Sequence, residues 1–591
     1  MSARSTPLGT SKPRLHWAVG GVACAVIAAC GGGSGGTAPP AADTTPPTAL
    51  SSVPLNSASQ VATQTVVSVT FSEAMDAASL SAATFTLSAA GAAAGATVAG
   101  SVSASGSTAS FTPAAALSAG TLYTATVSVG AKDAAGNALV AAHGWSFTTV
   151  ASVVTRAWSV PVLLESGAAE ARTPTIAATS EDVPTGAVQA TAVWVQDGSV
   201  YANRYQGGVW QGSELIENET TEATSPRVAM GTMGRTVITW GFGFNGVYSV
   251  WGNVYDPIPP GGGQDLSFSR ANARQLSAGG NASSPQVGFD GSGHDAFAVW
   301  TQYVPDRQPA AYHPAQQRYL FVPCDVVVGC VWKTEDFGWR DRTLLEVGGT
   351  DASDPQVAGF GSGNAVAAWR KYQAGVWASS HTKAGGWSAA VQVTSGSSTT
   401  ADKVVVAAAP DGSTAVVLWI DNSTRRSTVY ASRRSGSAWS APVAIDNAAA
   451  GPSDDPQVAI DALGNAMIVW QQGGDVYARR CPTGDLSGCG AAALIENSSG
   501  DARFPRLAAA PNGDAVVAWR ETGASGSTPR VYASHYVAAS AAWVSSAVLI
   551  GDASDFNEGP DVAMDKRGRA TVVWSKQDAA GKTNVYASRL E

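Results

Sequence analysis

The chain has 591 residues, a net charge of −9 and only 14% charged residues, with 64 glycines and 19 tryptophans. That length exceeds what one ordinary core supports, and the richness in Gly, Ala, Ser, Thr and Val suits short strands and tight turns, so an all-β protein of several domains or repeats is expected. No basic run is present, which excludes the phosphate-neutralising patch of a nucleic-acid binder and a polybasic membrane segment.

The first thirty residues read as targeting. Arg4, Lys12 and Arg14 precede an apolar stretch from Trp17 to Ala29 that is too short to span a bilayer. It ends Ile27-Ala28-Ala29-Cys30, which resembles a bacterial lipobox, in which small residues precede a cysteine whose thiol receives a diacylglycerol. The resemblance implies a lipoprotein signal peptide over residues 1–29 and lipidation at Cys30, with an ordinary secretory peptide as the competing reading. Gly31–Gly36 then supplies a flexible tether, and residues 30–47 form the linker. Gly31, rather than Asp, after the cysteine directs such a protein to the outer membrane of a Gram-negative cell. Acyl chains contribute about 0.8 kcal/mol per buried methylene, so the anchor holds without a spanning helix.

The other cysteines agree with export. Cys24 leaves with the signal, while Cys324 with Cys330 and Cys481 with Cys489 form two close pairs in Gly- and Pro-containing turns. Local disulfides are expected, each stapling one loop for roughly 2–2.5 kcal/mol. A zinc site is the alternative, but neither pair has CxxC spacing or a neighbouring His set. No metal and no cofactor is expected.

Residues 48–150 contain period-two segments such as Val66-Val67-Ser68-Val69-Thr70-Phe71 and Tyr123-Thr124-Ala125-Thr126-Val127, the signature of half-buried strands. In order, Phe71-Ser72-Glu73-Ala74-Met75-Asp76, Phe111-Thr112-Pro113-Ala114, Asp133-Ala134-Ala135-Gly136-Asn137 and Trp145-Ser146-Phe147-Thr148-Thr149 together resemble the SbsA-type bacterial Ig-like domain of surface-layer and other exported proteins. The resemblance implies a β-sandwich acting as spacer or adhesive unit. Glu73, Asp76 and Asp133 raise the question of calcium, but they are not grouped at ligand spacing in the sequence, and solvated turn carboxylates are the expected reading.

Residues 156–591 repeat. Trp194, Trp240, Trp300, Trp369, Trp419, Trp470, Trp519 and Trp574 each end an apolar run, usually about fifty residues apart, which gives eight units. Each reads as a strand, a Gly-containing turn, a strand ending in Trp, a strand with Val-Tyr-Ala as at Val476-Tyr477-Ala478, and a fourth strand such as Trp439–Ile445. Four antiparallel strands per unit make a propeller blade. The last unit stops at Glu591 without a fourth strand, and Trp158–Leu164 stands alone ahead of the first unit. An eight-bladed ring closed by that N-terminal strand is therefore expected, with seven blades as the alternative. The recurring Trp is expected to pack between blades.

A catalytic constellation is not evident. Sialidases share the propeller architecture, but here Asp461, Gly464 and Trp470 are spaced more widely than in an Asp-box, so the resemblance is architectural only. Glu165, Glu217, Glu346 and Glu496 occupy equivalent places near fourth strands, which points to a repeated structural role and not to a glycosidase pair. Arg204, Arg433, Arg480 and Arg589 each fall three residues after the Tyr of the third strand. They are candidate cations for an anionic ligand, with cross-strand pairing as the competing fate. The long insertion Val304–Arg340, with Tyr312, His313, Tyr319 and Trp339, is a second candidate. The expected function is display or binding of a glycan, polymer or protein by a monomeric, membrane-anchored envelope lipoprotein. A polysaccharide hydrolase or lyase and a structural spacer are the alternatives.

Overall fold

The computed structural model describes residues 43–90, 96–149, 156–179, 187–217, 222–257, 268, 270–278, 281–304, 311–320, 338–346, 351–394, 400–423, 426–448, 450–482, 486–496, 500–523, 528–553 and 558–591. Cys24, Cys30, Cys324 and Cys330 lie outside the described residues. Among the described residues, no helix is long and apolar enough to cross a membrane.

The N-terminal unit is a sandwich of two antiparallel sheets. Ala49–Val53, Val67–Phe71, Thr108–Pro113 and Gly100–Ser105 form one in that order; Ala58–Val61, His143–Thr149, Leu122–Val127 and Phe85–Ala89 form the other. Alternation decides which side chains turn inward: Val67, Val69 and Phe71 are buried while Ser68 and Thr70 lie between them. Phe85 meets Phe111 and Trp145, with ring centroids 5.8 Å apart in both pairs, so the aromatic residues of the two inner faces interdigitate.

The second unit consists of eight sheets among the described residues, numbered here in chain order. Sheet 6 shows the plan: Ser453–Ile460, Ala466–Gln472, Asp475–Cys481 and Ala493–Leu494 pair in sequence as an antiparallel meander. The first strand of each sheet neighbours the first strand of the next. Sheet 8 runs Asp561–Met564, Ala570–Gln577 and Thr583–Leu590, and its fourth strand is Val162–Leu163 from the start of the unit. Tyr586 stands opposite Leu163, and Ala587 opposite Val162, in that pairing. Ala563, Val573 and Val585 of sheet 8 then pack with Ile176 and Trp194 of sheet 1, so the first sheet lies against the last.

One tryptophan organises each sheet. Trp194, Trp240, Trp300, Trp369, Trp470, Trp519 and Trp574 are fully buried, and Trp419 is 2% exposed. Register places Trp470 directly across from Tyr477, and the rings stack at 5.9 Å. Trp419 with Tyr430, Trp519 with Tyr532 and Trp574 with Tyr586 repeat the arrangement. That pairing is the physical content of the Val-Tyr-Ala motif. A buried indole N–H needs an acceptor, and a glutamine two residues on supplies it in Trp194–Gln196, Trp300–Gln302 and Trp470–Gln472, at 3.2, 3.2 and 3.0 Å. Gln472 in turn donates to the carbonyls of Asn447 and Gly451, tying the sheet to the loop that enters it.

The turn after the first strand is also repeated. Asp461 Oδ1 accepts from the backbone of Leu463 and Asn465, while Gly464 takes φ +76°, a conformation that favours glycine. Asp565 does the same in sheet 8, accepting from Arg567 and Arg569, and in sheet 3 Asp290 Oδ1 accepts from the backbone of His294 and Asp295. Sheet 3 adds a second carboxyl, Asp295, beside Asp290, and both are buried.

Trp470→Ala removes a fully buried indole and should cost about 3–5 kcal/mol, read as a lower urea midpoint; an unchanged midpoint would remove the indole from this account. Burial first, then the charge of Asp290, raise the pKa of Asp295 above its ordinary 3.8. The folded state therefore holds that proton more tightly than the unfolded chain, and stability falls as pH rises through the window between the two values. Asp295→Asn should melt higher than the parent protein at neutral pH, with the gap closing in acid. Parallel melting curves at both pH values would refute the assignment.

Candidate functional site

The start of each first strand is strained in the same way. Thr173, Ser225, Ser284, Asp354, Lys403, Asp455 and Phe504 occupy equivalent positions in sheets 1 to 7, and all have positive φ, between 46° and 55°. Each sits in a register shift, as between Asp454 and Gln457 in sheet 6. A left-handed non-glycine residue costs about 1–2 kcal/mol, and a β-bulge re-aims the side chains around it. The bulges also touch one another: Ser284 Oγ approaches Asp354 at 3.5 Å, and Lys403 reaches Asp455 at 2.7 Å. Equivalent ends of adjacent sheets therefore lie side by side.

In an antiparallel meander the start of the first strand, the end of the second and the start of the third share one end of the sheet. Two adjoining clefts open there. One of about 510 Å³ is lined by Asp402, Lys403, Asn422, Ser427, Asp454 and Arg503. The other, about 450 Å³, is lined by Ser353, Arg370, Tyr372 and Gln373 and shares Asp402 and Asn422 with the first. Together they make a polar trough across sheets 4 to 7. Arg370 bonds Asp354 at 2.7 Å and lies 3.6 Å from Asp402. The Lys403 ammonium bridges Asp454 and Asp455 at 2.8 and 2.7 Å. Burial acts to lower the pKa of Lys403, but its bonds to those two carboxylates outweigh burial and raise it.

The same end carries aromatic side chains on sheets 2 to 4. Tyr372 is 68% exposed, and Phe244 and Tyr248 are both more than half exposed. Tyr303 and Tyr312 stand opposite each other in sheet 3 with ring centroids 5.1 Å apart. Lys403, Asp402, Asp454 and Arg503 keep 40–53% of their side-chain surface. Water is thus not excluded from the trough, which suits recognition better than a reaction that needs a dehydrated site.

The residues singled out in the sequence are distributed over both ends. Tyr312 lies at the trough end, where its N–H donates to Asp351. His313, the next residue, is buried. Tyr319 and Trp339 pair at the opposite end of sheet 3, and Trp339 packs against the core beside Leu276. The four arginines are also at that opposite end, reaching partners within the protein. Arg204 pairs with Glu214 at 2.9 Å and lies over the Tyr255 ring of the next sheet. Arg589 lies 3.8 Å from the Tyr205 ring centroid and bonds Glu591 and Thr571. Arg433 donates to the carbonyls of Pro482 and Gly464 in sheet 6, and Arg480 to Asp461. Cys481 and Cys489 form a disulfide.

The glutamates near the fourth strands serve the fold. Glu217 accepts from the N–H of Val200, a place taken by Ser277 for Val250 and Asp446 for Val429. Glu165 accepts from Gln196 and Lys582, Glu346 pairs with Trp369 and Lys371, and Glu496 is buried.

In the N-terminal sandwich, Asp43, Glu73 and Asp133 bring oxygen atoms within 4.8 Å of one another, a grouping that linear spacing does not show. Asp76 stands apart and caps a turn through Ala78. Desolvation, then the charges of Asp43 and Asp133, raise the pKa of Glu73. For Asp133, desolvation is outweighed by donors from Asn137, Gly136 and Ala135, which lower it. Asp133 is thereby satisfied by its own turn, and no metal is assigned to the group.

No curated protein matches the chain. Among solved structures, a protein of unknown function from Dyadobacter fermentans is 13% identical, with 64% of this chain and 96% of that one covered, at a TM-score of 0.34. A polysaccharide lyase described as an ulvan lyase is 10% identical over 71% of this chain and 94% of its own, at 0.37. A lectin from Aleuria aurantia, in complex with α-methyl-L-fucoside, is 10% identical over 56% and 97%, at 0.28. At these values the likenesses carry no functional argument. The family match lies in the N-terminal sandwich, where residues 43–149 match the bacterial Ig-like domain and assign that part of the chain to it.

Proposed function

We propose that this is a non-enzymatic envelope lipoprotein that binds a polysaccharide on the trough end of a closed, eight-bladed ring. The observation that carries the reading is the combination at one end of exposed Tyr372, Tyr248 and Phe244 with the open charged trough from Arg370 to Arg503. Flat aromatic faces pack against the apolar faces of sugar rings, and neighbouring carboxylate, amide and guanidinium groups bond their hydroxyls. The SbsA-type character of the sandwich supports a spacer or adhesive role for that unit.

Export and anchoring belong to the same reading. The apolar run before Cys30, the small residues preceding it and the Gly31–Gly36 tether support lipidation at Cys30, with Gly31 favouring an outer membrane where the cell has one.

Binding to a panel of neutral and acidic polysaccharides, with product release followed in parallel, tests the function. Tyr372→Ala and Arg370→Ala should each weaken binding about tenfold or more, as truncation of an anchor residue does, with no change in melting. Release of shortened or unsaturated sugars would replace this reading with a hydrolase or lyase, and silence in both assays with a spacer. For anchoring, Cys30→Ser should abolish incorporation of a labelled fatty acid and free the chain from the membrane fraction. Retention of the label would overturn that part.

A further inference from the structure

The position after each bulge recurs in strict register, always opposite the residue that precedes the sheet's tryptophan. It is glutamine in sheets 3, 4 and 6, as Gln286, Gln356 and Gln457. Thr175 and Val405 occupy it in sheets 1 and 5, and sheets 2, 7 and 8 place a charge there: Arg227 stands opposite Thr239, Arg506 opposite Ala518 and Asp561 opposite Val573. The three charged residues are partly buried.

These three groups act on one another although sheet 1 separates sheet 8 from sheet 2. Asp561 feels the charges of both Arg506 and Arg227, and Arg227 feels those of Asp561 and Arg506. The first strands of neighbouring sheets lie side by side, so these equivalent register positions in sheets 7, 8 and 2 stand at one level of the array. Asp561 spends one carboxylate oxygen on the free strand edge of sheet 1, accepting from Ile176 N–H at 3.0 Å. Arg227 and Arg506 each turn one terminal nitrogen back to the preceding proline carbonyl, at 2.9 and 3.0 Å. Among the described residues, neither guanidinium has a carboxylate at ion-pair distance, and Asp561 is the carboxylate that acts on Arg227 and on which both cations act. Burial depresses the pKa of Arg227, then Asp561 opposes that effect, and a guanidinium stays charged in such surroundings.

We propose that Arg227 and Arg506 form an axial site for one oxyanion group, a carboxylate or a sulfate, on a ligand that enters along the ring axis. The fork of donors on each guanidinium matches the paired oxygens of such a group, and the desolvated surroundings strengthen the attraction. Asp561 limits affinity by competing for the same cations. This site is separate from the trough, and its test does not depend on polysaccharide binding there.

Titration calorimetry on the full chain, with sodium glucuronate and sodium sulfate as probes and glucose as the uncharged match, tests the proposal. One anion should bind per chain and glucose should not. Arg227→Gln and Arg506→Gln should each weaken the anion about tenfold or more, the worth of a charge-assisted hydrogen bond. Glutamine already occupies this position in three sheets, so the double variant R227Q/R506Q is expected to fold, checked by circular dichroism. Asp561→Asn should tighten binding, and the advantage should shrink as salt is added. Which probe binds more tightly tells a carboxylate ligand from a sulfate one. No anion-dependent heat in the parent protein, or a folded double variant that binds as well as the parent, would overturn the proposal.

Discussion

A sheet of four short strands has two faces to bury and no core of its own, and the indole at the end of each second strand resolves that problem. It stacks on the tyrosine across the pair, as Trp470 does on Tyr477, and fills the space toward the neighbouring sheet. Burying a side chain of that size contributes several kcal/mol before entropy is counted. Because the wedge has no use without a second sheet to receive it, each sheet depends on the next. The same demand reaches the ends of the array, where Val162–Leu163 completes sheet 8 and sheet 1 packs against it.

Packing by wedges fixes the outer and middle strands and leaves the first strand of each sheet with one unpaired edge. The polar groups along that edge are the most adjustable part of the fold. Bulges at seven of the eight first strands tilt the chain there, and side chains answer individual backbone groups, as Asp561 does for Ile176. Strain repeated at seven equivalent positions is a property of the architecture and not of one pocket. What differs between sheets is the side chain that the bulge presents, and recognition has room to vary there without disturbing the wedges.

The repeat, the fold class and the strand that completes the last sheet were legible because each is written in local spacing: Trp every unit, Val-Tyr-Ala after it, and a missing fourth strand at Glu591. The Cys481–Cys489 pair was legible for the same reason, since eight residues of separation keep the partners close. The left-handed bulges were not, because Thr173, Lys403 and Phe504 share a conformation without sharing a side-chain type. Nor was the role of Gln196, Gln302 and Gln472, whose acceptor function depends on the indole being buried first. The meeting of Asp43, Glu73 and Asp133 joins residues distant in sequence. The position of Arg204 and its equivalents was readable from spacing, but the aromatic ring of the adjacent sheet that receives it was not.

An array of similar units also changes how an unusual residue is read. In a single domain, a half-buried arginine has no internal standard against which to compare it. Here the standard exists within the chain: the position holds an uncharged side chain in five of the eight sheets, a neutral amide in sheets 3, 4 and 6 as Gln286, Gln356 and Gln457, and Thr175 and Val405 in sheets 1 and 5. Replacing that amide with arginine in sheets 2 and 7 adds desolvation cost, and one aspartate in sheet 8 offsets it only in part. A fold that already has a cheaper solution at the same coordinate does not need the costlier one for stability. The excess of positive charge at this register level is therefore what the proposed anion site rests on, as the exposed tyrosines are for the proposed trough: both sit where the wedge between sheets imposes nothing.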